Sequence, residues 1–393
     1  MRICLISYEF PPFVYGGAGT YAKNIAEKLA DRGNELYVLA FGGTKGNYDH
    51  KNIICHRLGN SGLPRPLWIP SYWLALHRSF ERIEKRTGGF DVVVGNGFSE
   101  LSLPKRHNAP PRITVMHQSA KRVIELVRPS LLERIQNFSN EMGIAPLFDP
   151  LLVRRSDKIV AVSNFVKQSL VEDLKVSEGK IAVIHNGFND FYKEMGEKEY
   201  LEARRRYAHD EKGIILFVGR INDRRKGLAD LLKAFSLVRD QIGSKLLVAG
   251  SGDQTDMKAY IRSMGLEEDV NLLGKVTDEE LHTLYTICDL YVSSSFYESF
   301  GLTLVEAMSA KKPIIARDIG GISEVVSNDN GILLQDCSIS GLAGALEEVM
   351  HNLNKYEQIG QRNREYALEK FSWTKAAGMM ERLAIGLVEC HER

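Results

Sequence analysis

The sequence lacks the hallmarks of several large protein classes. Its five cysteines are spread over 393 residues without a C-x-x-C pair, which argues against a disulfide framework or zinc site and favours reduced thiols in the cytosol. No apolar run approaches the ~18 residues that a membrane-spanning helix needs. The apolar stretch at residues 3–7 is followed at once by Glu9 and two prolines, so we expect no secretory signal there. His-Glu-x-x-His, P-loop and Asp-x-Asp motifs are also absent.

The chain as a whole has almost no excess of charge of either sign. The 51 Lys and Arg balance 50 Asp and Glu, so the net charge of +1 gives no reason to expect a nucleic-acid-binding protein. The balance hides a split, because residues 1–185 carry 25 basic and 17 acidic side chains whereas residues 186–393 carry 26 and 33. The basic first half indicates an acidic partner or an anionic membrane on that side.

Short apolar runs alternate with amphipathic stretches along almost the whole chain. These runs predict buried strands at residues 2–7, 35–41, 91–95, 113–117, 158–163, 181–185, 214–219, 246–250, 271–273, 290–293, 313–316 and 332–334. The alternation predicts an α/β fold with parallel sheets wrapped by helices. The length favours two such sheets, one in each half.

The sequence also indicates the first helix and the boundary between two domains. Tyr21, Ile25 and Leu29 share a face that ends at Gly33, a residue type favoured just after a helix. A strand runs into a turn-rich stretch at residue 185, where the sign of the charge also changes. We therefore predict domains at 1–185 and 186–372, followed by a helical segment at 373–393 with no strand after it.

A glycine pair lies between the first strand and the first helix. At Gly16 and Gly17 the backbone N–H groups can approach a phosphate closely, and the helix N-terminus adds a positive dipole end. Gly17, Gly19 and Ala22 formally fit a dinucleotide fingerprint, but about nine residues separate them from the strand and no acidic residue ends the second strand. We therefore expect a different anion site, with a plain turn as the alternative.

Two basic side chains follow the end of a strand in the second half. Arg220 and Lys226 come after Gly219, at the edge where open α/β sheets bind ligands. Arginine can bind phosphate oxygens in a bidentate way while lysine acts as a point charge, so the pair suits a diphosphate. A solvated basic loop is the alternative, above all for Arg224 and Arg225.

Two glutamates flank the start of another helix. Glu298 lies in the loop after the strand at 290–293, and Glu306 follows two turns into the helix. Each carboxylate can accept hydrogen bonds from hydroxyl groups, and the N–H groups of residues 300–302 can bind an anion or a sugar. His117 ends a strand of the first half, where sites form in parallel sheets, although a structural histidine is the alternative.

Together these motifs resemble the retaining glycosyltransferases of family 4 over nearly the whole chain. Glu298 and Glu306 match the family's Glu-x7-Glu signature, and Arg220 and Lys226 match its Gly-Arg…Lys-Gly element. The Pro-Pro…Gly-Gly loop, His117 and the His-Asn-Gly junction at 185–187 also match. The junction departs from the family's Asn-Gly-Val-Asp and reads Asn-Gly-Phe-Asn-Asp. The resemblance implies a GT-B fold, with two Rossmann-like domains whose parallel sheets face each other across a cleft and a C-terminal helix that returns to the N-terminal domain.

The resemblance also implies a reaction and its residues. A hexose would move from a nucleotide-diphosphate sugar to an acceptor hydroxyl, with retention of anomeric configuration and without a metal or other cofactor. The catalytic residues would be His117, Arg220, Lys226 and Glu298. The donor would be held by Gly16, Gly17, Gly219, Arg220, Lys226, Val276, Glu298, Phe300, Gly301, Leu302 and Glu306. The donor base stays open between UDP, GDP and ADP, and the acceptor between a sugar phosphate, a lipid-linked sugar and a glycan.

A basic segment at residues 104–134 bears on the acceptor. Seven Lys and Arg there stand against two glutamates, with apolar residues between them. The pattern predicts contact with an anionic bilayer or a phosphorylated acceptor, with Tyr15, Lys121 and Arg122 on the acceptor side; ordinary surface helices are the alternative. We expect a cytoplasmic protein, with peripheral contact at the inner face of the membrane left open. A nucleotide-sugar 2-epimerase and a non-catalytic nucleotide-sugar-binding protein are the alternative functions.

Overall fold

The chain divides into two compact units. A computed structural model describes residues 1–14, 16–42, 48–104, 109–127, 145–208 and 213–391. The first unit comprises Met1–Gly187 and Trp373–Arg393, and the second comprises Phe188–Ser372. This division falls two residues after the position chosen from the sequence. No helix in the described ranges is long and apolar enough to cross a membrane.

The first unit contains a parallel sheet. Its described strands are β1 (Arg2–Ser7), β2 (Glu35–Phe41), β3 (Ile53–Leu58), β4 (Val92–Asn96), β5 (Arg112–Met116), β6 (Lys158–Ala161) and β7 (Ile181–Val183). They lie in the order β3-β2-β1-β4-β5-β6-β7. Most positions in β1, β2, β4 and β5 are buried, as expected where helices cover both faces of a sheet. The carboxyl ends of β1, β4 and β5 are therefore neighbours at one edge.

The helices described between these strands are α1 (Gly17–Asp31), α2 (Trp68–Thr87), α3 (Ala120–Val127), α4 (Ala145–Arg155) and α5 (Asn164–Leu174). The face of α1 expected from the sequence is confirmed, because Tyr21, Ile25 and Leu29 are each at most 1% exposed. Their spacing of four residues places all three on one face of α1, and this face is buried.

The second unit repeats this architecture. Its described strands are β8 (Gly213–Val218), β9 (Ser244–Ala249), β10 (Val270–Gly274), β11 (Leu290–Ser293), β12 (Ile314–Arg317) and β13 (Ile332–Leu334), in the order β10-β9-β8-β11-β12-β13. Its described helices are α6 (Glu197–Tyr207), α7 (Leu228–Ile242), α8 (Thr255–Ser263), α9 (Asp278–Ile287), α10 (Leu302–Ser309), α11 (Ile339–His351) and α12 (Leu353–Lys370). All its strand pairs are parallel, so the loops after β8, β11 and β12 leave the same edge of the sheet.

The last helix, α13 (Trp373–His391), packs against α1 within the first unit. The ring of Trp373 meets the ring of Tyr21 edge to face, with centroids 5.8 Å apart. About two helical turns after Trp373, Glu381 accepts hydrogen bonds from Arg32 Nε at 2.7 Å and Asn34 Nδ2 at 2.6 Å. An aromatic contact and a polar contact therefore fix the two parts of this helix.

Strand β3 differs from the sequence expectation, which contained no strand there. It is an edge strand, and only its first and last residues, Ile53 and Leu58, are buried. His56 and Arg57 interrupt its apolar pattern, so it does not read as a buried run. The bounds of the other described strands lie within two residues of those expected.

Candidate active site

In the second unit, two strand-end loops bring a lysine and a glutamate together. Lys226, in the β8–α7 loop, places Nζ 2.5 Å from Oε1 of Glu298 in the β11–α10 loop. The contact forms because β8 and β11 are adjacent parallel strands. Arg220, on the first of these loops, is exposed. Arg225 instead pairs with Asp223 at 2.7 Å. Burial alone would raise the pKa of the Asp223 carboxyl, but the nearby Arg225 guanidinium lowers it below its usual value.

Ser294 ties these two loops together. Its Oγ donates to the carbonyl oxygens of Lys226 and Gly227, at 3.1 and 3.0 Å. Gly227 has a φ of 68°, and a Cβ added there would lie 2.0 Å from Ser294 O. The position therefore requires glycine both for its backbone conformation and for the close approach of the neighbouring chain.

The two signature glutamates have different surroundings. Glu298 is 13% exposed, and its Oε1 accepts from Ser295 Oγ at 3.1 Å as well as from Lys226. Glu306 lies in α10, where the Tyr285 hydroxyl donates to its Oε2 at 3.1 Å. Burial raises the pKa of Glu306 to about 7. Glu298 therefore has a cation beside it, whereas Glu306 has a neutral hydroxyl.

The remaining residues of the second unit that were expected to bind the donor lie at the same edge of its sheet. Helix α10 begins at Leu302 and has Gly301 as its N-cap, without a side-chain cap. Phe300 is buried against Phe371, with ring centroids 5.4 Å apart. Val276 is half-buried in the loop after β10, which β9 separates from β8. The structure thus gathers residues 219–227 and 294–306 on adjacent strands, with Val276 two strands from β8.

The first unit has a pocket at the carboxyl ends of β1, β4 and β5. Its lining includes Tyr8, Glu9, Asn96, Phe98, His117, Gln118 and Asp149. Because Asn96 Nδ2 donates to Ala18 O at 3.0 Å, its Oδ1 faces His117, whose Nε2 donates to it at 2.6 Å. Burial lowers the pKa of His117 to about 4, so the ring is neutral at pH 7. Its Nδ1 then carries the lone pair that can accept a hydrogen bond.

The glycine loop of the first unit has one N–H group already engaged. Gly16 N–H donates to Glu9 Oε2 at 3.0 Å, and α1 begins at Gly17. A carboxylate therefore lies at the positive end of this helix, where an anion was expected. Tyr15, the third residue expected here, lies outside the described residues.

The basic segment is not a plain cationic surface where the structure describes it. Arg112 is 8% exposed, and its guanidinium donates to Pro104 O at 2.8 Å. Arg122 pairs with Glu172 at 2.6 Å and with Asp173 at 3.1 Å, so carboxylates from outside residues 104–134 also neutralise it. Lys121 is 54% exposed and lies 3.8 Å from Glu125. The segment's other cations, Lys105, Arg106, Arg128 and Arg134, lie outside the described residues.

Models of known protein families match both halves of the chain. A model for Glycosyltransferase Family 4 matches residues 15–190, and one for Glycosyl transferases group 1 matches residues 200–366. An uncharacterized glycosyltransferase from Methanocaldococcus jannaschii is 27% identical over 96% of each chain. The chain belongs to the family 4 glycosyltransferases.

The structural neighbours of this family 4 glycosyltransferase have the same fold. A sucrose-phosphate synthase from Thermosynechococcus elongatus matches with a TM-score of 0.81 and 22% identity, over 99% of both chains. An Anabaena protein solved in complex with UDP-glucose matches with a TM-score of 0.74 and 19% identity, over 98% of this chain and 100% of that one. The expected GT-B fold with two Rossmann-like parallel sheets is therefore confirmed.

In this glycosyltransferase, the sequence did not reveal the residues that form hydrogen bonds with the expected site residues. They are Glu9, Asn96, Tyr285 and Ser294. Asn96 and Ser294 stand at or just after the ends of buried strands, and that position could have identified them. Tyr285 lies within α9, and nothing in the sequence connects it with Glu306.

Proposed function

We propose that this glycosyltransferase moves a hexose from a nucleoside diphosphate sugar, bound by the second unit, to a hydroxyl group of a sugar acceptor bound by the first. The supporting observation is the pair of Lys226 and Glu298 at 2.5 Å between adjacent strand ends, with Arg220 on the same loop. Cations suited to a diphosphate stand beside carboxylates suited to hydroxyl groups. The Anabaena complex with UDP-glucose supports a nucleotide-sugar donor.

Each part of the proposed donor has a partner of matching chemistry. Arg220 and Lys226 stabilise the charge that develops on the departing diphosphate. Glu306 accepts hydrogen bonds from the ribose hydroxyls. Glu298 and the N–H groups of residues 300–302 hold the sugar. Val276 lies by the base, and the N–H group of Gly17 serves the phosphates. The N–H groups of Gly16 and Gly219 do not, because they donate to Glu9 Oε2 and to Ala249 O, at 3.0 and 2.9 Å.

The proposed reaction retains the anomeric configuration and uses no metal ion. The acceptor oxygen bonds to the anomeric carbon on the face from which the diphosphate leaves, and the acceptor proton passes to the leaving phosphate oxygen. Neutral His117 accepts a hydrogen bond from a sugar hydroxyl through Nδ1. Isolation of a covalent glycosyl adduct on Glu298 would contradict this mechanism.

The proposed acceptor site is the pocket of the first unit. Glu9 and Asp149 offer carboxylate groups for hydroxyls, and the rings of Tyr8 and Phe98 offer apolar faces for a sugar ring. The described lining includes two carboxylates and no lysine or arginine. A neutral sugar or glycan therefore fits this pocket better than a sugar phosphate does.

Ligand-induced stabilisation tests the donor. UDP-, GDP- and ADP-glucose, each once with EDTA and once with Mg²⁺, are compared by thermal unfolding. A donor at ~100 times its dissociation constant stabilises the folded protein by about 2.7 kcal/mol. We expect one base to give this shift and Lys226→Met to remove it. Absence of a shift with all three, or a shift that depends on a metal ion, contradicts the corresponding part of the proposal.

Product analysis tests the transfer. The selected donor is incubated with a neutral oligosaccharide, a hexose phosphate or a lipid-linked sugar, and the anomeric coupling constant of the product is read by NMR. We expect retention and preference for the neutral acceptor, with loss of product in Glu298→Ala. Formation of an epimerised donor without acceptor would favour the epimerase instead.

The proposed location is the cytoplasm. Peripheral contact with an anionic membrane is a separate part of the proposal. That part rests on the excess of basic residues in 1–185. Flotation of the protein with vesicles of anionic and of neutral lipid tests it. Equal flotation with both removes the membrane contact and leaves the enzymatic proposal unchanged.

A further inference from the structure

A fully buried arginine joins the two donor loops of the second unit. Arg317 is the last residue of β12 and is 0% exposed. Its Nη2 lies 2.8 Å from Oδ2 of Asp230, in the first turn of α7, and its Nη1 donates to Ser294 O at 3.0 Å. The guanidinium also lies 4.3 Å from the centre of the Phe296 ring. A charge this deeply buried is stable only with such partners, and they come from two other elements.

Both hydrogen-bond partners of Arg317 connect it to Lys226 or to its neighbour Gly227. Ser294, whose carbonyl Arg317 holds, donates its own hydroxyl to the carbonyls of Lys226 and Gly227. Asp230 N–H donates to Gly227 O at 3.1 Å. Arg317 therefore holds the β8–α7 loop from its helix side and the β11–α10 loop from its strand side.

We propose that Arg317 is a positioning residue for the donor site: it fixes the separation between the loops that carry Lys226 and Glu298. This inference rests on the donor roles proposed above for those two residues. Arg317 acts through Ser294 and Asp230. An arginine is required because its planar fork reaches a carbonyl and a carboxylate at once, whereas a lysine presents a single point charge.

The same unit offers a matched control. Arg204 makes a two-pronged contact with Asp289, at 2.8 and 2.9 Å, and both side chains are mostly buried. Asp289 immediately precedes β11, so this pair lies at the amino end of the strand, at the opposite edge from Lys226. Arg204→Lys therefore removes the same kind of contact without touching the donor loops.

The test compares Arg317→Lys and Arg204→Lys with the unaltered protein in two measurements. Calorimetric titration gives the dissociation constant for UDP, or for GDP or ADP if one of these is the base that binds. We expect about tenfold weaker binding, or more, for Arg317→Lys, and less than about twofold for Arg204→Lys. Hydrogen exchange gives loop order without a ligand, and only Arg317→Lys should speed exchange in residues 223–230 and 294–300.

Two results overturn the proposal: equal effects of the two variants on binding, or unchanged exchange in both loops of Arg317→Lys. If no nucleotide binds the unaltered protein, the proposed function fails, and hydrogen exchange still decides the role of Arg317. If Arg317→Lys does not fold, Ser294→Ala replaces it, since this removes only the hydroxyl that reaches Lys226 and Gly227. The same tenfold loss is expected, and unchanged binding and exchange contradict the proposal.

Discussion

Glu306 and Lys226 are proposed to bind different parts of the donor, the ribose and the diphosphate, and variants of the two residues test this division. At about pH 8.5 Glu306 is ionised, although burial raises its pKa to about 7. We expect Glu306→Gln to weaken UDP binding at this pH by about tenfold, because hydrogen bonds from ribose hydroxyls to a charged group contribute more than bonds to a neutral amide. Inorganic pyrophosphate has no ribose, so its binding should stay unchanged in Glu306→Gln and weaken in Lys226→Met. Calorimetric titration of both ligands measures this. Equal loss of pyrophosphate binding in the two variants would contradict the division.

Glu100 gives the first unit a pH-dependent stability. The side chain is 4% exposed and accepts a short hydrogen bond from Thr114 Oγ1. Burial raises the pKa of Glu100 from 4.5 to about 7; Arg112 and Arg155 oppose this rise and Asp157 adds to it. The folded protein thus keeps a proton that the unfolded chain releases above pH 4.5. Stability contributed by this group therefore falls as the pH rises from 4.5 to about 7.

Glu100→Gln removes this penalty while keeping the size of the side chain. We expect its free energy of unfolding at pH 8 to exceed that of the unaltered protein by on the order of 3 kcal/mol, and the two to agree at about pH 4. Chemical denaturation at both pH values measures this. The lowered pKa of His117 acts in the opposite sense between about 4 and 6.5 but is common to both proteins, so it cancels. A constant difference across the pH range would contradict the assignment.

Among the elements, α13 depends on a polar contact as well as an apolar one. Glu381 accepts from Arg32 and Asn34, which lie at and just after the end of α1. We expect Glu381→Gln to lower the free energy of unfolding by about 1 kcal/mol, since one charged acceptor is lost at a partly exposed site. Glu389→Gln, at an exposed position of the same helix, is the control. Equal stability of the two variants would show that the aromatic contact alone holds α13.

The sequence predicts those strands whose apolar pattern reflects burial on both faces. It does not predict structure that depends on contact with a neighbouring element. Runs such as residues 35–41 and 290–293 are buried on both faces, so they read directly as strands. Strand β3 forms because β2 offers an edge, although His56 and Arg57 break its pattern. Likewise, Lys226 and Glu298 follow from their place after strands, whereas Arg317 ends an apolar run and reads as a surface residue. Only the fold shows that Asp230 and Ser294 neutralise and bind it.

At the scale of the whole molecule, the chain leaves the first unit and returns to it at adjacent points. The first unit ends its long segment at Gly187 and resumes at Trp373. A Cβ added to Gly187 would lie 2.1 Å from Trp373 N, so the two passages lie side by side. This close approach accounts for the glycine at the junction, which is kept although the following residues depart from the family's Asn-Gly-Val-Asp.

Gly187→Ala should therefore disturb the point at which both passages meet. The added methyl group cannot fit against a backbone atom without a shift of Gly187 or Trp373, and overpacking of this kind costs about 1–3 kcal/mol. Gly179→Ala is the matched control, because the same methyl group there meets nothing within 4 Å. We expect thermal unfolding to show a lower transition temperature for Gly187→Ala and an unchanged transition temperature for Gly179→Ala. Equal transition temperatures for the two variants would mean that the junction yields to a side chain, and the side-by-side passage would then not explain the glycine.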